Sequence, residues 1–258
     1  MTALTALVLA GTRTGGDPMA AHAGVSHKAL IEVAGRSMIE RVVSALAAEP
    51  RIGRIVIAIE QPELLHDLPA LQAAALGKPW STMGTAAGPS ATVAAALAQL
   101  GTPLLVTTAD HALLQTAWVT EFLDGCPADA DVAVALAGRA AVEAAAPHTR
   151  RTWLRFADGD YSGCNLFLMS RPAAIGVIAL WQELERYRKE PLRMMQRLGW
   201  LFALRYRLGW LSLPAAIARL GALSGDAQVS VVTLSDGRSA IDVDKPADLA
   251  LARELAQS

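Results

Sequence analysis

The sequence predicts an α/β fold in which helices flank both faces of a mostly parallel sheet. Three observations carry this expectation. Short apolar runs rich in β-branched residues recur along the 258 residues, and stretches of helical period separate them. Polar residues able to do chemistry follow directly on several runs, where the carboxyl ends of parallel strands would gather them into one crevice. With 53% hydrophobic and 18% charged residues the chain can bury one large core, and it is read as a single domain over residues 1–258.

The first run, Thr5 to Ala10, reads as a buried strand. No basic segment precedes it, and it is too short for a signal peptide or a membrane span. SMIERVVSAL then places Met38, Ile39, Val42, Val43 and Leu46 on one helical face before the second strand, Arg54 to Glu60. ATVAAALAQL does the same with Val93, Leu97 and Leu100 ahead of the third strand, Leu104 to Ala109. Asp131 to Leu136 and Val229 to Leu234 complete the strands expected in the sheet.

Between the last two strands a helical insert is expected at about residues 172–222. Its core, Trp181 to Leu211, reads as a pair of amphipathic helices broken near Pro191 and Gly199. Its arginines, among them Arg193 and Arg197, fit a solvated subdomain, a cationic cap over a phosphorylated substrate, a face resting on anionic lipid, or a contact that makes a homodimer.

No stretch reaches the roughly 18 apolar residues of a membrane span, so a soluble, cytoplasmic protein is expected. A net charge of −1 gives no global pull toward nucleic acid. Cys126 and Cys164 are too few for a disulfide framework and lack metal-ligand spacing.

The chemistry gathers at three places. Ala10-Gly11 opens a glycine-containing loop whose backbone N–H groups can approach phosphates, and Lys28 would add a point charge to the same anion. The loop matches neither of the two common glycine-rich nucleotide motifs. Asp110 follows the third strand, where its carboxylate can hold a hard cation such as Mg²⁺ or cap the next helix. Asp242 and Asp244, two apart in IDVD, face one way in an extended segment before Pro246 starts the last helix, in which Asp248 reads as structural. His27 and His111 flank these positions without metal-ligand spacing and read as bystanders.

Taken in order, LVLAG, HKALIEVAGRSMIERV, GPSATVAAAL, LLVTTADHALL, SGCNLFLM and IDVDKPADLALA resemble the MobA-like nucleotidyltransferases. These belong to the pyrophosphorylases and cytidylyltransferases of GT-A-type, Rossmann-like fold. The similarity spans nearly the whole chain except the arginine-rich insert. It implies that Leu9, Ala10, Gly11, Thr12 and Lys28 contact a nucleoside triphosphate, with Arg13 an extra cation, and that Gly88, Ser90 and Thr92 touch its base. Asp110 matches the first metal-binding aspartate, and Asp242 or Asp244 the second, with Asp242 the stronger expectation. Gly163 and Asn165 fall where the family positions the acceptor, although the residues alone read equally as a tight turn before a strand. One departure is length: seventeen residues run from Gly11 to Lys28, counting Lys28.

The implied reaction is attack of a substrate phosphate on the α-phosphorus of a nucleoside triphosphate, with release of pyrophosphate. GPSATV looks like the stretch of cytidylyltransferases, which favours CTP. Arg150, Arg151 and Arg155, with Arg193 and Arg197, point to a small, strongly anionic acceptor of the phosphoglycerate, glycerol phosphate or inositol phosphate type, activated for lipid or envelope assembly. A molybdopterin acceptor, a GT-A glycosyltransferase and a non-catalytic nucleotide sensor are the alternatives.

Overall fold

The computed structural model describes residues 3–12, 16–66, 68–187 and 190–257. Arg13 lies outside them. The chain begins β1 (Leu4–Leu9), α1 (Pro18–Ala23), β2 (Glu32–Val33), β3 (Arg36–Ser37), α2 (Met38–Ala48) and β4 (Ile52–Ala58). It continues α3 (Glu63–His66), α4 (Pro69–Ala74), β5 (Trp80–Met83), α5 (Pro89–Leu100), β6 (Leu104–Thr108), α6 (Thr116–Gly125), β7 (Val132–Gly138) and α7 (Arg139–Ala145). The hairpin β8 (Leu154–Phe156) and β9 (Gly159–Met169) follows. Then come α8 (Ala174–Tyr187), α9 (Pro191–Leu198), α10 (Trp200–Arg207), α11 (Leu213–Leu223), β10 (Val229–Leu234) and α12 (Pro246–Leu255).

The large sheet runs β10-β7-β9-β6-β1-β4-β5, with β8 added on β9. β1 is parallel to β4 and β6, β4 to β5, and β7 to β10. β9 alone runs antiparallel between β6 and β7. Each of the five expected strands is present within two residues of its expected ends. Apolar side chains alternate between two cores: Val8, Ile55, Ile57 and Leu105 pack under α2 and α6, while Leu7, Val56, Leu104 and Val106 pack under α5 and α8. A capping box at Ser37 and Glu40 starts α2, whose Met38, Ile39, Val42, Val43 and Leu46 are fully buried, as the helical period predicts.

Two expectations change. Gly163 and Asn165 form no turn before a strand; both lie inside β9, where the pairing with β7 shifts between Val134 and Leu136. Asn165 takes a left-handed φ of 48° there, so the two residues mark a bulge rather than a strand end. The insert is also more divided than a helix pair, with α8, α9 and α10 over Trp181 to Leu211. Pro191 opens α9, and Gly199, at φ 106°, supplies the backbone conformation that separates α9 from α10.

Candidate active site

The carboxyl ends of β1, β4 and β6 meet where β9, running the opposite way, carries its bulge. Ala10 leaves β1 with its N–H on Ala58 O at 2.9 Å, and Ala109 donates to Leu9 O at 2.9 Å. Gly11 follows where a Cβ would stand 2.8 Å from the Thr85 methyl, so any larger residue there would have to push the Thr85 side chain aside. The Thr12 N–H donates to both Glu60 oxygens, at 3.1 and 3.2 Å, and its hydroxyl donates to Glu60 as well. His27 Nε2 lies 3.3 Å from Glu60 Oε1, and its Nδ1 accepts from Ala29 N at 3.1 Å. Just after β4, Glu60 thus hydrogen-bonds one end of the long first loop at Thr12 and lies beside the other end at His27 without a hydrogen bond.

Lys28 begins the 3-10 turn that His27 caps. Its Nζ donates to Asp110 Oδ2 at 2.7 Å and to Asp244 Oδ1 at 2.9 Å. Burial alone would lower the Lys28 pKa; Asp110 and then Asp244 outweigh it and hold the ammonium above its ordinary range. Burial pushes the Asp110 carboxyl up, against the pull of Lys28, and the charge of Asp242 adds to that push. Asp110 Oδ1 is buried with no hydrogen-bond partner.

Asp242 and Asp244 both face this corner, on either side of the buried Val243, whose N–H donates to Asp110 O at 3.0 Å. Their surroundings differ. Asp242 Oδ1 accepts from Arg151 Nη2 and its Oδ2 from Asn165 Nδ2 at 3.0 Å, so both oxygens are engaged by the β9 side. Asp248 accepts from the N–H groups of Asp244 and Lys245, the structural role expected of it. Arg151 is mostly buried and its Nε has no partner, whereas Arg150 is exposed. His111 is fully buried against Trp118, and burial pushes its pKa down to about 4, so the ring is neutral at physiological pH.

At the start of α5, Thr92 Oγ1 accepts from Ala86 N at 2.9 Å and donates to Gly88 O at 2.9 Å, tying the GPSATV loop together. The Ser90 hydroxyl donates to Glu185 of α8, which also closes over Gly88. The insert therefore touches the expected base-contacting stretch through an acidic residue. Arg193 pairs with Glu190 at 2.9 Å, and Arg197 with Glu183 at 2.6 Å. The hydrogen bonds that Arg193 and Arg197 make among the described residues are spent within the insert. Glu60 and Glu185 were not singled out from the sequence. Glu60 could have been, because it ends an expected strand just as Asp110 follows one.

Burial raises both thiols, Cys126 to about 11 and Cys164 to about 12, so neither is a nucleophile at neutral pH.

The sequence profile of the MobA-like NTP transferase domain matches residues 6–198. A structure described as a hypothetical transferase from Thermus thermophilus superposes with a TM-score of 0.80 at 29% identity, covering 96% of this chain and 100% of that one. The 4-diphosphocytidyl-2C-methyl-D-erythritol synthase of Anaerococcus prevotii superposes at 0.61 with 11% identity, over 99% and 96% of the two chains. A CMP:2-keto-3-deoxy-manno-octonic acid synthetase complexed with CTP reaches 0.55 at 14% identity, over 99% of each chain. The last two likenesses show the GT-A-like fold alone. No curated protein matches significantly. By the extent of the profile match and the order of its motifs, the chain belongs to the MobA-like NTP transferase domain family and is a nucleotidyltransferase.

Proposed function

We propose that the protein is a CTP-dependent cytidylyltransferase that joins CMP to a small phosphate monoester and releases pyrophosphate. The observation that carries this reading is the single Lys28 ammonium set between Asp110 and Asp244 at the carboxyl edge of the sheet. A buried carboxylate with one oxygen unpartnered, beside a second carboxylate, fits a hard divalent cation. Mg²⁺ takes only one or two protein carboxylates and shares the rest of its shell with water and substrate phosphates. Asp110 with Asp242 or Asp244 would hold it: Lys28 already engages Asp110 and Asp244, and Arg151 and Asn165 engage Asp242. When bound, the cation neutralises triphosphate charge.

The chain's own residues do the rest. The loop from Leu9 to Thr12 borders the triphosphate, with the Gly11 N–H its donor and Arg13 a further cation of that loop, while Glu60 engages the Thr12 N–H and hydroxyl. Gly88, Ser90 and Thr92 present the α5 start to the base. Lys28 supplies positive charge where the α-phosphate must lie. Arg151, exposed Arg150, and the bulge at Gly163 and Asn165 receive the acceptor's phosphate from the β9 side. Its oxygen forms a bond to the α-phosphorus as the bond to the bridging oxygen of pyrophosphate breaks. A phosphate monoester is nucleophilic at neutral pH, so no catalytic base is needed; alignment of two repelling anions is the task.

CTP is favoured because GPSATV resembles the cytidylyltransferase stretch and two superposing structures carry cytidylyl products in their names. Pyrophosphate release with each of the four triphosphates against a panel of phosphorylated acids and polyols tests the reading. Turnover with CTP and a phosphoglycerate, glycerol phosphate or inositol phosphate is expected. Turnover of a nucleotide sugar, or tight CTP binding with no pyrophosphate release across the panel, would overturn it.

A further inference from the structure

The apolar surface of this chain is unevenly spread. Of ten exposed large apolar side chains among the described residues, six fall between Trp200 and Trp210. Leu201, Leu204 and Leu208 recur at helical spacing on one face of α10 and the turn after it, and all three are exposed, Leu201 at 67%. Trp200 at 55% and Trp210 at 66% stand at the two ends. A row of leucines on a helix normally turns to the core. Here it faces outward.

The charges on this segment have one sign. Residues 200–210 contain Arg205 and Arg207 and no acidic residue. Both arginines are exposed, and neither has an ion-pair partner among the described residues, whereas Arg193 and Arg197 are already paired. Leucines flanked by tryptophans, with unpaired arginines among them, form the composition that lies in the interface of a bilayer with anionic headgroups. No helix among the described residues is long and apolar enough to cross a membrane.

The segment is fixed to the body of the protein on the acceptor side. Tyr206 packs edge-on against Phe156 at 5.8 Å and accepts from Arg155 N at 3.4 Å, while Leu211 O accepts from Ala157 N at 2.8 Å. Phe156 lies five residues beyond Arg151, the partner of Asp242. Exposed Arg155 adds a third cation beside the patch.

We propose that the face from Trp200 to Trp210 docks the enzyme on an anionic lipid surface, with the acceptor side of the active site turned toward the bilayer. This inference stands on the exposed face and its charge and does not depend on the identity of donor or acceptor.

Sedimentation of the full chain with vesicles tests it, comparing pure phosphatidylcholine with an equal mixture of phosphatidylcholine and phosphatidylglycerol. The wild type is expected to sediment with the anionic vesicles, less at high salt, and not with the neutral ones. R205Q/R207Q is expected to lose about 30-fold in partitioning, and L201S/L204S at least as much. Pyrophosphate release in vesicle-free solution and circular dichroism should stay as in the wild type. Equal sedimentation with both vesicle types, none with either, or R205Q/R207Q binding like the wild type would overturn the proposal. So would a concentration-dependent dimer that L201S/L204S abolishes in a chain that ignores vesicles.

Discussion

Two clusters of charge sit at opposite ends of the parallel strands, and they are built differently. At the amino end, Glu49 precedes β4 and is 99% buried by relative exposure of 1%. Its Oε1 accepts from Arg51 Nε at 2.6 Å and Arg51 N at 3.2 Å, and its Oε2 from Thr120 Oγ1 at 2.6 Å and Arg51 Nη2 at 3.2 Å. Asp124 pairs with the same arginine at 2.6 Å. Among the described residues no buried polar side-chain atom of this cluster lacks a partner. At the carboxyl end, Asp110 Oδ1 and Arg151 Nε are buried and unpartnered among the described residues. The amino-end cluster is complete in itself and stabilises the fold. The carboxyl-end cluster keeps buried donors and acceptors unused, as a site awaiting a charged ligand does.

The contrast predicts that substitutions at the two ends separate activity from stability. Asp110→Asn should remove about 10³-fold or more of turnover, because an amide lacks the charge that holds a cation near the α-phosphate. Its melting temperature should stay unchanged or rise, since a buried carboxylate repelled by Asp242 is neutralised and Lys28 keeps Asp244. Thermal unfolding and pyrophosphate release on one preparation check both halves.

Lys28→Ala should cost roughly 10²-fold in kcat/KM, about 3 kcal/mol, if Lys28 meets charge that grows in the transition state. Part of that loss should appear in KM for CTP, since Lys28 also meets the bound triphosphate, and the rest in kcat, from charge that grows in the transition state.

Glu49→Gln should do the reverse, costing about 2–3 kcal/mol of stability and leaving kcat unchanged. Burial works to raise the Glu49 pKa, but Arg51 and Thr120 outweigh it and hold it at about 2, below the usual 4.5. A folded-state value below the unfolded one gives stability that is full above about pH 4.5 and drains away as pH falls toward 2. Denaturant unfolding across that range should show the wild type losing its advantage over Glu49→Gln.

The same division describes how much the sequence revealed. Strands and helices follow from hydrophobic period, and Asp110 stands out because it directly follows a buried strand, whereas Lys28, Asp242 and Asp244 lie in loops and are picked out by the HKAL and IDVD motifs. β9 escaped because Gly163 and Asn165 interrupt its pattern, and a bulge with a left-handed asparagine looks like a turn until its partners on β7 are known. Glu60 and Glu185 escaped because their roles depend on loop and helix contacts across 48 and 95 residues of sequence. Residues 200–210 read as amphipathic, but which face the fold covers is decided by β8, far away in the chain.

We propose above all that the carboxyl-end cluster takes a nucleoside triphosphate and its cation. Thermal unfolding against rising CTP with Mg²⁺ measures this without knowledge of the acceptor, because a ligand of the folded state alone stabilises it by mass action. At about 100 times the dissociation constant the gain is about 2.7 kcal/mol, or roughly 5–10 °C for a chain of this size. The account predicts that gain in the wild type and equally in Glu49→Gln, and its loss in Lys28→Ala. An undiminished shift in Lys28→Ala would contradict it.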